Sequence, residues 1–335
     1  NARAYAENDR IIGLIGAYNS DCSLVQLPLA SGAEQPLPMV SPSNSYVGLT
    51  RPAPSQPPGQ FEDLYPTGVR NYVRVYPADD VEAAAMGLLA RSLKVRSVFV
   101  LRDVDGGGRA LDRAELFQTS AAKLGIEIAG SSTWTARSAD YTRLAQIIGR
   151  SQADAVLLAG EVYSNGGRLL KDLRSELGPK VLLLATDGFS RARDVLELAG
   201  PAGEGVYVST PGTPTRLLGQ AGRDFVDAFR SSRPRWLAPD YHWAPYGAQA
   251  AAVLLDAIAR SDGSRASVVE QLHATRIDDG ILGPVTFNEN GDIQSAAIAI
   301  LRIKRGGKGL IEWAPDFADG AVFDRLIRPP PSLVE

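Results

Sequence analysis

Cysteine is almost missing from this sequence. Cys22 is the only one in 335 residues, so no intrachain disulfide can form. That leaves the compartment open, because a chain long enough to bury large cores needs no disulfides wherever it works. Histidine is scarce too. His242 and His273 are far apart, and neither stands in an H-E-x-x-H pattern, which removes the familiar metalloprotease spacing. No run approaches the ~18 uninterrupted apolar residues of a membrane span, and no leader pattern is visible. Neither sign of charge dominates. With 35 Lys and Arg against 38 Asp and Glu, the formal net charge is −3, which gives no footprint for nucleic acid or an anionic membrane. No repeat of solenoid period is found.

What is present is ordinary globular material in a regular order. A 44% apolar and 22% charged composition is enough for two cores, and the length predicts two domains. Strands are expected at 11–15, 39–40, 72–76, 97–101, 127–129, 155–158, 181–185 and 206–209. Helices are expected at 1–8, 20–33, 81–93, 111–124, 141–151, 167–177, 219–231 and 245–260. Short, fully apolar strands alternating with helices predict a parallel sheet covered on both faces. Residues 50–68 read as a long Pro- and Gly-rich loop. Residues 283–287 and 296–303 read as hairpin arms around the Asn290-Gly291 turn, and 329–335 as a loose tail. The first residues read as helix, so the sequence opens inside a fold.

In parallel α/β sheets, ligands sit where strands run into the loops that enter helices. Three such loops are polar. In 16–20, Ser20 stands where a helix N-cap belongs; it is either a plain capping residue or a hydroxyl beside amides that can hold a carboxylate. In 41–45, three serines and Asn44 make a neutral hydrogen-bonding loop suited to a zwitterion, or a polar surface turn. In 185–188, Asp187 is either a turn residue or an anchor for an ammonium group. The stretch from Asp103 to Gly108 lacks both the Lys-Ser/Thr of a P-loop and the ligand spacing of an EF-hand. No G-x-S-x-G elbow and no CxxC occurs.

Residues 12–20, 38–45 and 183–188, with the closing 283–291 segment, resemble in order and spacing the type I periplasmic solute-binding proteins, in the branch of leucine/isoleucine/valine receptors of ABC transporters. The resemblance runs from residue 1 to about 303. It implies two Rossmann-like lobes with parallel sheets, joined by three crossings, with the ligand in the cleft. Lobe 1 would take 1–77 and 212–283, and lobe 2 would take 78–211 and 284–303, leaving 304–335 as a C-terminal extension. It also implies that Ser20 and Ser45 hold the ligand carboxylate, with Ser43 and Asn44 nearby, and that Asp187 holds the amino group. Tyr18 completes the first loop. Where the family carries aromatic residues on the second lobe, this sequence has Gly107 and either Val162 or Tyr163. Tyr241 and Trp243 are candidates for the pocket rim. The strand, helix and second strand with which the family opens precede the helix at 1–8 and are lacking here; without them the first lobe is expected to lose a central strand.

The function so implied is an extracytoplasmic receptor, periplasmic or a cell-surface lipoprotein, capturing an amino acid or similar small polar ligand for an ABC permease. No catalytic or metal-ligating residue and no cofactor is expected. The rivals are a ligand-sensing domain of a larger signalling or transcriptional regulator, in which case the location would be cytoplasmic, and a hydrolase or transferase using Asp103, Asp105 or Asp187.

Overall fold

The computed structural model describes residues 1–232, 243–308 and 319–334. The chain divides into two compact units and crosses between them three times. Unit 1 holds Asn1–Ala78 and Thr215–Ala296, and unit 2 holds Asp79–Pro214 and Ala297–Glu335. The second and third crossings fall later than the sequence suggests, so the 284–296 segment belongs to unit 1.

Unit 1 opens with α1 (Ala2–Ala6), β1 (Leu14–Ile15), α2 (Ser20–Ser31), β2 (Met39–Ser41), α3 (Gln60–Asp63) and β3 (Tyr72–Arg74). Its sheet is parallel, in the order β1-β2-β3, with β1 at one edge and Ile15 43% exposed. The chain then enters unit 2 through α4 (Asp79–Ser92), β4 (Ser97–Asp103), α5 (Gly107–Lys123), β5 (Glu127–Trp134), α6 (Thr142–Ser151), β6 (Ala155–Ala159), α7 (Gly166–Leu177), β7 (Leu182–Ala185), α8 (Ala192–Ala199) and β8 (Tyr207–Pro211). Back in unit 1 come α9 (Gln220–Ser232), α10 (Ala244–Arg260), α11 (Arg265–His273), β9 (Arg276–Ile277) and β10 (Val285–Thr286). The chain ends in unit 2 with β11 (Ile298–Lys308), β12 (Asp319–Ile327) and α12 (Pro331–Val334).

The sheet of unit 2 has the order β12-β11-β8-β7-β6-β4-β5. Its inner strands β4, β6 and β7 are runs of Val, Leu, Phe and Ala that are buried almost throughout, as two covered faces require. Helices seal those faces with apolar residues at helical spacing. Leu169, Leu170 and Leu173 of α7 and Ala192, Val195 and Ala199 of α8 all lie in one core with Val156, Leu158 and Leu183. In unit 1, Ala250, Val253, Leu254 and Ala257 of α10 cover Val40, Val73 and Val75 of the sheet.

Three sequence expectations are corrected. The sheet of unit 2 is mixed rather than wholly parallel, because β11 runs antiparallel to both β8 and β12. The expected hairpin arms part company: β10 pairs with β9 in unit 1, β11 joins unit 2, and only the Phe287↔Ile293 bridge closes the turn. Within the C-terminal extension, β12 forms an edge of the large sheet, and the stretch expected as a loose tail from 329 holds α12, tied by Lys123 Nζ donating to the Ser332 carbonyl at 3.2 Å.

Candidate functional site

In unit 1, the loops after β1 and β2 are knitted into one polar surface. Ser41 Oγ donates to the Ala17 carbonyl at 3.2 Å and accepts the amides of Ser43 and Asn44 at 3.3 and 3.1 Å. Ser43 Oγ donates to the Tyr18 carbonyl at 2.6 Å. Asn44 is fully buried and fully used. Its Nδ2 donates to the carbonyls of Ala17 and Tyr18 at 3.1 and 2.9 Å, and its Oδ1 accepts from Ser23 Oγ and the Tyr72 hydroxyl at 2.6 and 2.9 Å. Ser43 and Asn44 therefore build the loop, and their amides are already occupied.

Ser20 is not the N-cap. Asn19 holds that position in extended geometry, without a side-chain cap, and Ser20 is the first residue of α2. Ser20 Oγ accepts the Tyr46 amide at 3.3 Å, which ties the start of α2 to the second loop and leaves its O–H proton for another acceptor. Ser45 differs from its neighbours. It is 9% exposed, and among the described residues neither its amide nor its hydroxyl has a hydrogen-bond partner. A near-buried donor pair left open inside a satisfied network is where a ligand oxygen fits. The positive end of α2 favours negative charge there.

Tyr18 is 53% exposed and meets Trp243 edge-on at 5.7 Å; Trp243 in turn packs on Tyr76 and Tyr246 at 5.3 and 5.8 Å. Tyr18 and Trp243 thus share one aromatic wall of unit 1. Tyr241 lies outside the described residues.

In unit 2, the loops after β4, β6 and β7 crowd together through glycines. A Cβ at Gly160 would come within 2.2 Å of Asp103 Cβ, and one at Gly188 within 2.1 Å of the Gly160 carbonyl oxygen. This approach gathers acids around one guanidinium. Arg113 of α5 lies 2.9 Å from Asp187 Oδ1, 3.2 Å from Asp79 Oδ1, 3.7 Å from Glu82 Oε2 and 3.8 Å from Glu161 Oε1. Glu82 Oε1 accepts the Asp187 amide at 2.8 Å and Ser209 Oγ at 2.6 Å, so a buried acid aims the loop that carries Asp187. Burial, reinforced by the charge of Asp187, pushes the Glu82 carboxyl up to about 8. Burial also raises the Asp187 carboxyl, against the pull of Arg113. Asp187 keeps 23% of its side chain exposed. It is therefore an acid already paired with Arg113, yet set among more carboxylates than that guanidinium neutralises.

The other expected residues of unit 2 fall elsewhere. Gly107 opens α5. Tyr163 is 62% exposed and its hydroxyl donates to Asp194, which also pairs with Arg191 at 3.0 Å. Val162 is buried in the core and forms no wall. Asp103 accepts the amides of Asp105 and Glu161 at 2.9 and 3.3 Å, while Asp105 accepts Thr135 Oγ1 and the Ala136 amide at 2.9 and 2.5 Å. Both carboxylates shape their loops. Sequence reasoning missed Arg74, Glu82, Arg113 and Glu161. Each looks like a solvated residue in a string of letters, and only tertiary burial distinguishes it.

Fold and loops together define an α/β protein of two units with polar loops at the ends of its strands. The chain belongs to the periplasmic binding protein family, whose model matches residues 1–308. The family is one of extracytoplasmic binding proteins, and among the described residues no helix is long and apolar enough to cross a membrane. The chain is 24% identical over 243 residues to the Leu/Ile/Val-binding protein homolog 3 of Brucella melitensis, covering 72% of this chain and 63% of that relative, which is less than two thirds of its length. Among solved structures it is similar to a leucine-binding protein of Thermotoga maritima, with a TM-score of 0.72, 23% identity, and 98% of this chain and 84% of that one covered. A substrate-binding protein of an ABC transporter from Desulfitobacterium hafniense, solved with Leu, gives a TM-score of 0.70 at 21% identity, covering 91% and 82%. At these identities the likeness to the solved structures is one of fold.

Proposed function

We propose that this chain is an extracytoplasmic solute-binding receptor that captures an amino acid for an ABC permease. One observation carries the reading: Ser45, whose amide and hydroxyl have no partner among the described residues, stands in a loop where the side chains of Ser41, Ser43 and Asn44 are all hydrogen-bonded. Unit 1 therefore offers a carboxylate three donors, the amide and hydroxyl of Ser45 and the hydroxyl of Ser20, beside the positive end of α2. In unit 2, the partly exposed Asp187, paired with Arg113 and within reach of the charge of Arg109, is the candidate partner for an ammonium group. The Leu/Ile/Val-binding relative and the leucine-bound structure support an amino acid as the class of ligand.

Titration calorimetry on protein freed of carried-over ligand tests this. Ser45→Ala and Asp187→Asn are each expected to weaken amino-acid binding about tenfold or more, the worth of a charge-assisted hydrogen bond. The melting temperature of Ser45→Ala should stay at the wild-type value, because its hydroxyl bonds to nothing in the fold. Unchanged affinity in both variants would overturn the assignment.

A further inference from the structure

Arg74, at the end of β3, has no solvent exposure. Its Nε lies 2.6 Å from Asp292 Oδ1, and its Nη2 donates to Thr50 Oγ1 at 2.7 Å. Thr50 Oγ1 donates in turn to Asp292 Oδ2 at 3.1 Å, closing a ring of three side chains. Its backbone is fixed as well, because the Arg74 amide donates to the Gly291 carbonyl at 3.0 Å. A guanidinium held this firmly has one nitrogen left. That nitrogen, Nη1, donates to the carbonyls of Tyr46 at 2.7 Å and Asn44 at 3.4 Å. These two carbonyls stand on either side of Ser45.

Peptide stereochemistry gives that placement a consequence. In a trans peptide the C=O and N–H point in opposite directions. The Asn44 carbonyl and the Ser45 amide belong to the same peptide plane. Drawing the carbonyl toward buried Arg74 turns the Ser45 N–H away from it. The planar fork of arginine can hold a carboxylate, a hydroxyl and two carbonyls at once; a lysine ammonium has neither the reach nor the geometry.

We infer that Arg74 is the positioning residue of the carboxylate site: locked by Asp292 and Thr50, it fixes the Asn44–Ser45 peptide, and the Tyr46 carbonyl beyond it, so that the Ser45 amide faces the ligand. This rests on the reading of Ser45 given above. It assigns to Arg74 a role in selecting carboxylate ligands, beyond support of the fold.

The test compares ligands that differ only in the carboxylate. Wild type, Arg74→Lys and Thr50→Val are titrated with L-leucine, L-valine and L-phenylalanine and with the carboxamide of each, taking the pair whose amino acid binds most tightly. Wild type should prefer the amino acid over its carboxamide by at least about tenfold. Arg74→Lys should lose about tenfold for the amino acid and change by less than about threefold for the carboxamide, with Thr50→Val moving the same way by less. Equal weakening of both ligands in the two variants, or an undiminished preference, overturns the positioning role alone. A wild-type protein with no preference for the carboxylate overturns the reading of Ser45, and the role of Arg74 with it. Thr50→Val keeps Arg74 and its ion pair with Asp292 but frees its Nη2, so the comparison stands even where Arg74→Lys fails to fold.

Discussion

Asn44 and Ser45 are adjacent, polar and almost equally buried, yet they do opposite things. Asn44 makes four side-chain hydrogen bonds inside unit 1, while Ser45 has no partner among the described residues. Asn44→Ala should therefore act on stability, leaving Ser23, Tyr72 and two carbonyls short of partners, and should cost about 3 kcal/mol in denaturant unfolding. A loss under about 0.5 kcal/mol would show that the network relaxes around the gap. The contrast was only partly legible in the sequence. The cluster of serines and Asn44 marked the loop as polar, but which member faces inward depends on partners as distant as Tyr72. Glu82 makes the same point for unit 2: its letters place it in the first turn of a helix, and only packing makes it a buried acid. Its folded form holds a proton far more tightly than an unfolded glutamate with the ordinary value of 4.5. The stability this contributes is full below about 4.5 and is lost as pH rises through about 8, at up to about 1.4 kcal/mol per pH unit. Glu82→Gln should flatten the fall in melting temperature across that window, and a slope identical to wild type would contradict the assignment.

At the scale of elements, the functional groups sit where strands end. Gly160 and Gly188 let the loops after β6 and β7 approach too closely for any side chain. Gly188→Ala is expected to push these loops apart, destabilise unit 2 by 1–3 kcal/mol, as overpacking typically does, and weaken ligand binding through Asp187. A variant with wild-type melting and affinity would show the approach to be dispensable. The strands β4, β6 and β7 were readable because a strand buried on both faces has to be a continuous apolar run. Helices α8 and α11 were not, being stretches of only eight and nine residues, too short to show a helical period. Strand β12 was hidden for another reason: Asp324 and Arg325 make it look like a solvated tail, and its pairing with β11 is a tertiary fact.

For the whole molecule, the sequence showed the order of elements and the resemblance, while the crossings moved. The turn at 287–293 looked like the hinge of one hairpin, yet Asp292 there completes the ring with Arg74 and Thr50 and so keeps the segment in unit 1. The chain is a periplasmic binding protein, and the proposed ligand chemistry rests on one open pair of donors at Ser45. Calorimetric titration of ligand-free wild type and Ser45→Ala with the standard amino acids tests this most directly. The expected result is saturable one-to-one binding of at least one amino acid to wild type, weakened about tenfold or more in Ser45→Ala. Binding of no amino acid, or equal affinity in the two proteins, would contradict it.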